Sequence, residues 1–456
     1  MPQPYRVEAL ALHQVGVFDD VSIDFKPIAS AEKDAEKAEI HLFTGPNGCG
    51  KSTLLYALAE IFDINNSNSL IRRRFRGSES YVDFLFDGKA GRYGASLKYS
   101  NRENRYGYPS RINSYSSDTY FFGYEFSKET EQSKLPKYKQ IINNSQSNPR
   151  HWNFQFAYAA FAYSSQRTLR DTPLSAIQQI TASPFEAVLS FDGSVRPQIL
   201  LQWIANNRTQ SALAKADGDN KAAQVYDQAL NRITTLIRDI CGLELEFRLE
   251  RSPLAVTVRV NGDTIHFDSL PDGLKSIISW VADLSLRLEA IPWQEQRDVF
   301  SQPIILLLDE VDIHLHPKWQ RRILPAIQTL LPNAQIFVST HSPFVVGSVE
   351  DAWVYRLPEP GKGNGIIEGV QSGAGKSYRL ILDEIFGIDD EFDIETEVLF
   401  DEFYRLRDLF MKDQQGREDL LQTAGKLAAR GEEAALIVSR ELRQTARVTG
   451  QELSLA

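Results

Sequence analysis

The residues Gly45-Pro46-Asn47-Gly48-Cys49-Gly50-Lys51-Ser52, followed by Thr53, fit the phosphate-binding pattern G-x-x-x-x-G-K-[ST] in full. Glycines there let backbone N–H groups turn inward around phosphate oxygens. A helix starting at the same place adds partial positive charge. Lys51 has the reach for the β- and γ-phosphates, and the Ser52 hydroxyl can bind Mg²⁺. A second group of residues lies far along the chain, where the apolar run Ile304-Ile305-Leu306-Leu307-Leu308 ends in Asp309-Glu310. Asp309 is placed to hold Mg²⁺ through water, and Glu310 to polarise the water that attacks a γ-phosphate. A third run, Gln335-Ile336-Phe337-Val338-Ser339-Thr340, ends in His341, whose imidazole can hydrogen-bond the γ-phosphate and orient that water.

Each of these groups needs an element to carry it. The strand-like run Ile40-His41-Leu42-Phe43-Thr44 precedes the glycines, and the apolar stretch Leu54–Ala59 predicts a helix after them. The uninterrupted run Ile304–Leu308 suits a strand buried on both faces of a parallel sheet. The predicted fold class is therefore α/β.

These residues, in this order, resemble the ATP-binding-cassette (ABC-type) P-loop ATPases. The closer likeness is to the soluble branch that includes SMC-like repair ATPases and OLD-type ATPases of bacterial phage defence. Glu310-Val311-Asp312-Ile313-His314-Leu315-His316-Pro317 looks like that branch's extended Walker B and D-loop, and Thr340-His341-Ser342-Pro343 like its H-loop. The resemblance covers residues 1 to about 370, with insertions. It implies an ATPase head with a mixed sheet, an inserted lobe, a helical subdomain and a helical C-terminal tail. It also implies ATP and Mg²⁺ as ligands, and a homodimer closed by ATP-bound heads.

The family uses a signature motif to complete the ATP site of the opposite subunit. The best match is Ser269-Leu270-Pro271-Asp272-Gly273-Leu274-Lys275-Ser276, which marks Ser269, Asp272 and Gly273 as nucleotide-contacting candidates. Pro271 departs from the pattern, standing where a phosphate-binding serine is usual. An amphipathic helix follows, with Leu274, Ile277, Ile278, Val281, Leu284 and Leu288 on one predicted face. By the same resemblance, Gln166 is the candidate for sensing Mg²⁺ and the attacking water. His314 and His316 invite a metal reading, but no Cys cluster accompanies them and the Walker context accounts for their place.

Composition is ordinary for a globular protein, at 42% hydrophobic and 24% charged residues. No apolar run is long enough for a transmembrane helix, and no signal peptide is visible, so a cytoplasmic location is expected. Two cysteines, Cys49 and Cys241, make a disulfide framework improbable. The net charge of −10 argues against a protein that coats nucleic acid. The dense basic cluster Arg72-Arg73-Arg74 with Arg76 reads as a solvated face or internal ion pairs.

The predicted organisation is an ATPase head over 1–375. An inserted lobe interrupts it at about 65–155, and a helical subdomain at about 170–242, with Val225, Leu230, Ile233, Ile237 and Ile240 as its apolar stripe. That segment is far too short for a long coiled-coil arm. Asn261-Gly262 marks a tight turn between strands. The region 376–456 is predicted to be helical and a possible partner dock. Its acids Asp389, Asp390 and Asp393 sit among helical patterns, and only about 115 residues follow His341, which argues against a fused nuclease. The resemblance extends to the Septu, PARIS and retron-associated ATPases, which act with a separately encoded nuclease or toxin. The rival expectation is a DNA-repair or DNA-clamping ATPase of the SMC/RecF kind that binds DNA directly. A transporter ATPase is disfavoured by the inserts and the long spacing between motifs.

Overall fold

The computed structural model describes residues 5–28, 37–62, 70–88, 91–98, 119–121, 155–167, 174–191, 193–361, 363–372, 376–388 and 390–454. Most of the inserted lobe expected at 65–155, and Asp389, lie outside the described residues. The chain divides into two compact units, Met1–Ile381 and Leu382–Ala456.

The α/β expectation is met in the first unit. One six-stranded sheet runs, in spatial order, Gly369–Gln371, Ala352–Arg356, Glu39–Thr44, Ala334–Ser339, Ile304–Leu308 and Ala159–Tyr163. The last five are mutually parallel, and Gly369–Gln371 pairs antiparallel at the edge. The three strands Glu39–Thr44, Ile304–Leu308 and Ala334–Ser339 are buried at every residue, as continuous apolar runs demand when both faces are covered. Glu39, His41 and Gln335 are hydrogen-bonded inside this core. Arg6 donates to Glu39 at 2.8 Å, and His41 Nε2 lies 2.7 Å from the same carboxylate. The Gln335 side chain accepts from the Val7 amide at 2.7 Å and donates to the Val7 carbonyl at 2.9 Å. That exchange ties this sheet to a second one.

The second sheet contains the hairpin Arg6–Val15/Phe18–Asp24, flanked by Gly363–Ile367 and Tyr81–Gly88. Val21, Ile23 and Phe25 alternate inward. A third, three-stranded sheet holds the turn at Asn261-Gly262, where φ is 48° and 103°.

The helical subdomain differs from its prediction in two ways. Helices cover Pro197–Ala216 and Asn220–Cys241, whereas 174–191 is irregular. Pro184 and left-handed backbone at Ala187 and Phe191 explain the irregular stretch. Val225 is 66% exposed, and the apolar stripe runs instead through Ala229, Leu230, Ile233, Leu236, Ile237 and Ile240.

The helix Asp272–Ala290 is also more enclosed than a one-sided stripe. Trp280, Ala282, Asp283, Ser285, Leu286 and Arg287 are buried along with the predicted face. Two of its charged side chains, Asp283 and Arg287, are paired. Arg287 Nε donates to Asp283 at 2.5 Å, and its other nitrogens reach the carbonyls of Pro184, Glu186 and Ser194 at 2.6–2.9 Å.

The second unit is helical, with Ile394–Asp413, Arg417–Ala428 and Glu432–Thr449. Phe400, Phe403, Phe410, Leu420, Leu427, Val438 and Leu442 form its core, and Leu399, Tyr404 and Leu406 pack against them. Asp393 caps the first of these helices through the Thr396 amide.

Candidate functional site

Four parallel strands end on one edge of the sheet. In the register, Phe43 lies beside Ser339, Val338 beside Leu308, and Leu308 beside Tyr163. Each strand therefore releases its next residues at the same level, with neighbouring strands about 4.8 Å apart. The first feeds the phosphate loop, and the second Thr340-His341. The third feeds Asp309-Glu310, and the fourth Ser164–Gln166. Open parallel sheets bind ligands outside the carboxyl ends of their strands.

The phosphate loop needs its glycines. Gly45, Gly48 and Gly50 have φ of 145°, 79° and 101°. At Gly50 a Cβ would lie 2.4 Å from the Phe18 ring, because the Gly16–Phe18 hairpin tip closes over the start of helix Lys51–Glu60. Pro46, Asn47 and Gly48 are exposed, and Cys49 is buried. Lys51 Nζ sits inside the loop, donating to the carbonyls of Gly45 at 2.9 Å and Pro46 at 3.0 Å. Ser52 is half-buried at the first helical turn. Thr53 turns inward, where its hydroxyl accepts from Arg74 at 2.8 Å.

The basic cluster braces this helix. Arg72 pairs with Glu60 at 3.2 Å, Arg74 lies over the Tyr56 ring, and Arg76 pairs with Asp19 at 2.5 Å.

The acidic end is tightly held. Asp309 is 5% exposed. The Ser339 hydroxyl donates to Asp309 Oδ1 at 2.5 Å and accepts from the Glu310 amide at 2.7 Å. Glu310 has φ of +46°, a left-handed conformation that costs a non-glycine residue about 1–2 kcal/mol. Sequence reasoning misses Arg167, although it directly follows Gln166. Its guanidinium donates to the carbonyls of Asp309, Glu310 and Ser164. Burial pulls its pKa down to about 10, against the opposing pull of Asp309, Asp312 and Glu310.

His341 is exposed at the end of its strand. Partial burial and the Lys51 ammonium hold its imidazole below the usual range, while Asp312, Glu310 and Asp309 pull the other way. His341, Lys51 and the acids thus share one electrostatic environment. Gln166 is exposed, its backbone N–H donating to Ser164 Oγ at 3.2 Å. Tyr163, at the end of its strand, donates to Asp283 at 3.0 Å and so fastens this edge to helix Asp272–Ala290.

The signature segment is built differently. Ser269 and Asp272 are exposed, and Asp272 pairs with Lys275 at 3.3 Å. Gly273 is buried, and a Cβ there would lie 2.5 Å from the His314 carbonyl of its own chain. His316 has a structural task, its Nδ1 accepting from the Lys318 amide to cap helix Pro317–Leu330.

Residues 40–347, well over half of the chain, match the family described as "AAA domain, putative AbiEii toxin, Type IV TA system". The chain belongs to that family of ATPase domains. A stretch of 128 residues is 34% identical to "Retron Vc95 probable ATPase" of Vibrio cholerae serotype O1 biovar El Tor, covering 28% of this chain and 24% of that one. The match to "Retron Ec83 probable ATPase" of Escherichia coli covers 20% of that protein, so these matches span a quarter or less of the retron proteins. "Septu protein PtuA" of Bacillus thuringiensis is 24% identical over 375 residues, 77% of this chain and 79% of that one. Among solved structures, the SMC head domain from Thermotoga maritima aligns with a TM-score of 0.40 and 16% identity over 81% of this chain and all of that one.

Among the described residues, no helix is long and apolar enough to cross a membrane.

Proposed function

We propose that this chain is a Mg²⁺-dependent ATPase of the cytoplasm whose heads close in pairs around ATP. In this reading it senses, scaffolds or regulates a separately encoded effector, a nuclease or toxin, in bacterial anti-phage defence. The observation that carries the ATPase reading is the shared edge: phosphate loop, Asp309-Glu310, His341 and Gln166 leave four adjacent parallel strands at one level. The defence reading is supported by the similarity to retron ATPases and to Septu PtuA.

Each residue then has a task. Lys51 exchanges its loop carbonyls for the β- and γ-phosphates, and the loop amides receive phosphate oxygens. Ser52 and Asp309 offer the hard oxygen donors that Mg²⁺ takes. Ser339 engages Asp309 through Oδ1, and Oδ2 is not part of that bond. Bound there, the ion would neutralise charge between the β- and γ-phosphates. Glu310 accepts the proton of the attacking water. His341, kept neutral by its surroundings, donates one hydrogen bond to the γ-phosphate. Gln166 orients the water from the neighbouring strand end. Ser269, Asp272 and the start of their helix face the nucleotide of the second head.

The test is phosphate release from ATP by purified protein, with and without Mg²⁺, beside Glu310→Gln. The amide cannot take the proton, so the variant should bind ATP yet hydrolyse it about a hundredfold or more slower. Equal rates would remove Glu310 from this role. The protein alone should leave DNA and RNA intact with Mg²⁺ or Mn²⁺, and cleavage would put the effector in this chain. Strong stimulation by duplex DNA would favour the rival DNA-clamping reading. The cluster Arg72–Arg76 gives that reading little support, since Arg72, Arg74 and Arg76 are engaged within the chain.

A further inference from the structure

The Asp309–Glu310 turn is gripped from two sides. On one side the Ser339 hydroxyl uses its proton on Asp309 Oδ1 and a lone pair on the Glu310 amide, at 2.5 and 2.7 Å. On the other, Arg167 is 3% exposed and its Nη2 donates to the carbonyls of Asp309 and Glu310. Its Nε takes the Ser164 carbonyl, and its own carbonyl accepts from Ser279 Oγ at 3.3 Å. Its Nη1 is buried and has no hydrogen-bond partner among the described residues.

A buried cation hydrogen-bonded to carbonyls, with no direct carboxylate bond, is expensive to keep. Packing alone would favour an apolar side chain at this place. What a guanidinium adds is a planar fork that fixes two peptide groups at once. The fixed groups include Glu310, whose left-handed φ of +46° would otherwise relax.

We propose that Arg167, with Ser339 opposite it, is a positioning residue that sets where the Glu310 carboxylate points. This rests on the ATPase reading above. The carboxylate must stay within hydrogen-bond reach of the attacking water, and a displacement of about 1 Å costs about a hundredfold in rate. Neither residue needs to touch the nucleotide. Loss of the clamp therefore acts on turnover and leaves the phosphate loop able to bind.

Wild type, Arg167→Lys, Arg167→Ala, Ser339→Ala and Ser339→Thr are compared by ATP affinity and by kcat and KM for phosphate release. Both Arg167 variants should keep the ATP Kd near wild type and lose about a hundredfold in kcat. Free guanidinium ion should restore part of the rate to Arg167→Ala and to no other variant. Ser339→Ala should lower kcat, and Ser339→Thr, which keeps the hydroxyl, should recover it. If the Arg167 variants fail to fold, the Ser339 pair decides. Folded Arg167→Lys with wild-type kcat, or equal rates for Ser339→Ala and wild type, overturns the proposal. No turnover by wild type overturns the ATPase reading instead.

Discussion

The sheet edge and the start of helix Asp272–Ala290 are built on opposite plans. At the edge, each chemical group leaves a fully buried strand, and its place is fixed by ladder register. Lys51, Asp309 and Ser339 are buried and already partnered. At the helix start, Ser269 and Asp272 stand exposed, and the buried Gly273 serves contact with its own chain. The first region is complete as it stands. The second presents Ser269 and Asp272 outward, with Asp272 paired to Lys275 one turn along the same helix. That contrast is what a composite site would produce, where one subunit supplies the phosphate loop and the other a helix start.

The comparison breaks most visibly at Lys51. Lys51→Ala removes the ammonium that neutralises phosphate charge. Charge-assisted bonds of this kind contribute about 2–3 kcal/mol, or about a hundredfold in Kd. Titration with a fluorescent ATP analogue should show that loss in a variant whose circular dichroism is unchanged. Unaltered affinity in a folded variant would mean that the sheet edge is not the nucleotide site.

Two substitutions at the helix start separate packing from recognition. Gly273→Ala drives a Cβ against the His314 carbonyl, 2.5 Å away, and should cost about 1–3 kcal/mol and lower Tm. Ser269→Ala, on an exposed side chain, should change stability by less than about 0.5 kcal/mol. It should nevertheless weaken ATP-dependent dimerisation while the ATP affinity of the single head holds. Light scattering with and without ATP reads the difference. Undiminished dimerisation by Ser269→Ala would take Ser269 out of the composite site.

The part of the fold that could be read from the sequence is the part that burial dictates. The runs Ile40–Thr44, Ile304–Leu308 and Gln335–Ser339 are apolar enough that only a doubly covered strand satisfies them, so the α/β class was legible. Each such strand then places the polar residues at its carboxyl end, which is why Asp309, Glu310 and His341 stand out as candidates. Arg167 was not legible, because an arginine beside a polar loop carries no sign that it will be buried under two distant carbonyls. Ser339 escaped for the same reason, since its partners lie 29 and 30 residues away. Gly273 shows the converse. A glycine in a signature-like segment invites a ligand-facing reading, while the neighbour that excludes a side chain is the carbonyl of His314, 41 residues further on.

The smallest effect concerns His341, and it tests whether the sheet edge behaves as one electrostatic unit. Burial and Lys51 lower its pKa from 6.5, with no nucleotide present. The unfolded chain therefore binds more protons than the folded one just below pH 6.5, so stability falls as pH drops through that value. His41, fully buried in the sheet, is also lowered and has the same sign, so the measurement must be a difference. Wild type minus His341→Gln, compared by Tm across this pH range, should show a slightly steeper acid loss in wild type. Saturating ATP should reduce that difference, because phosphate charge stabilises the imidazolium and offsets Lys51. A gap between the two proteins that ATP leaves unchanged would place His341 outside the field of the bound phosphates, and so outside the site that its strand position assigns to it.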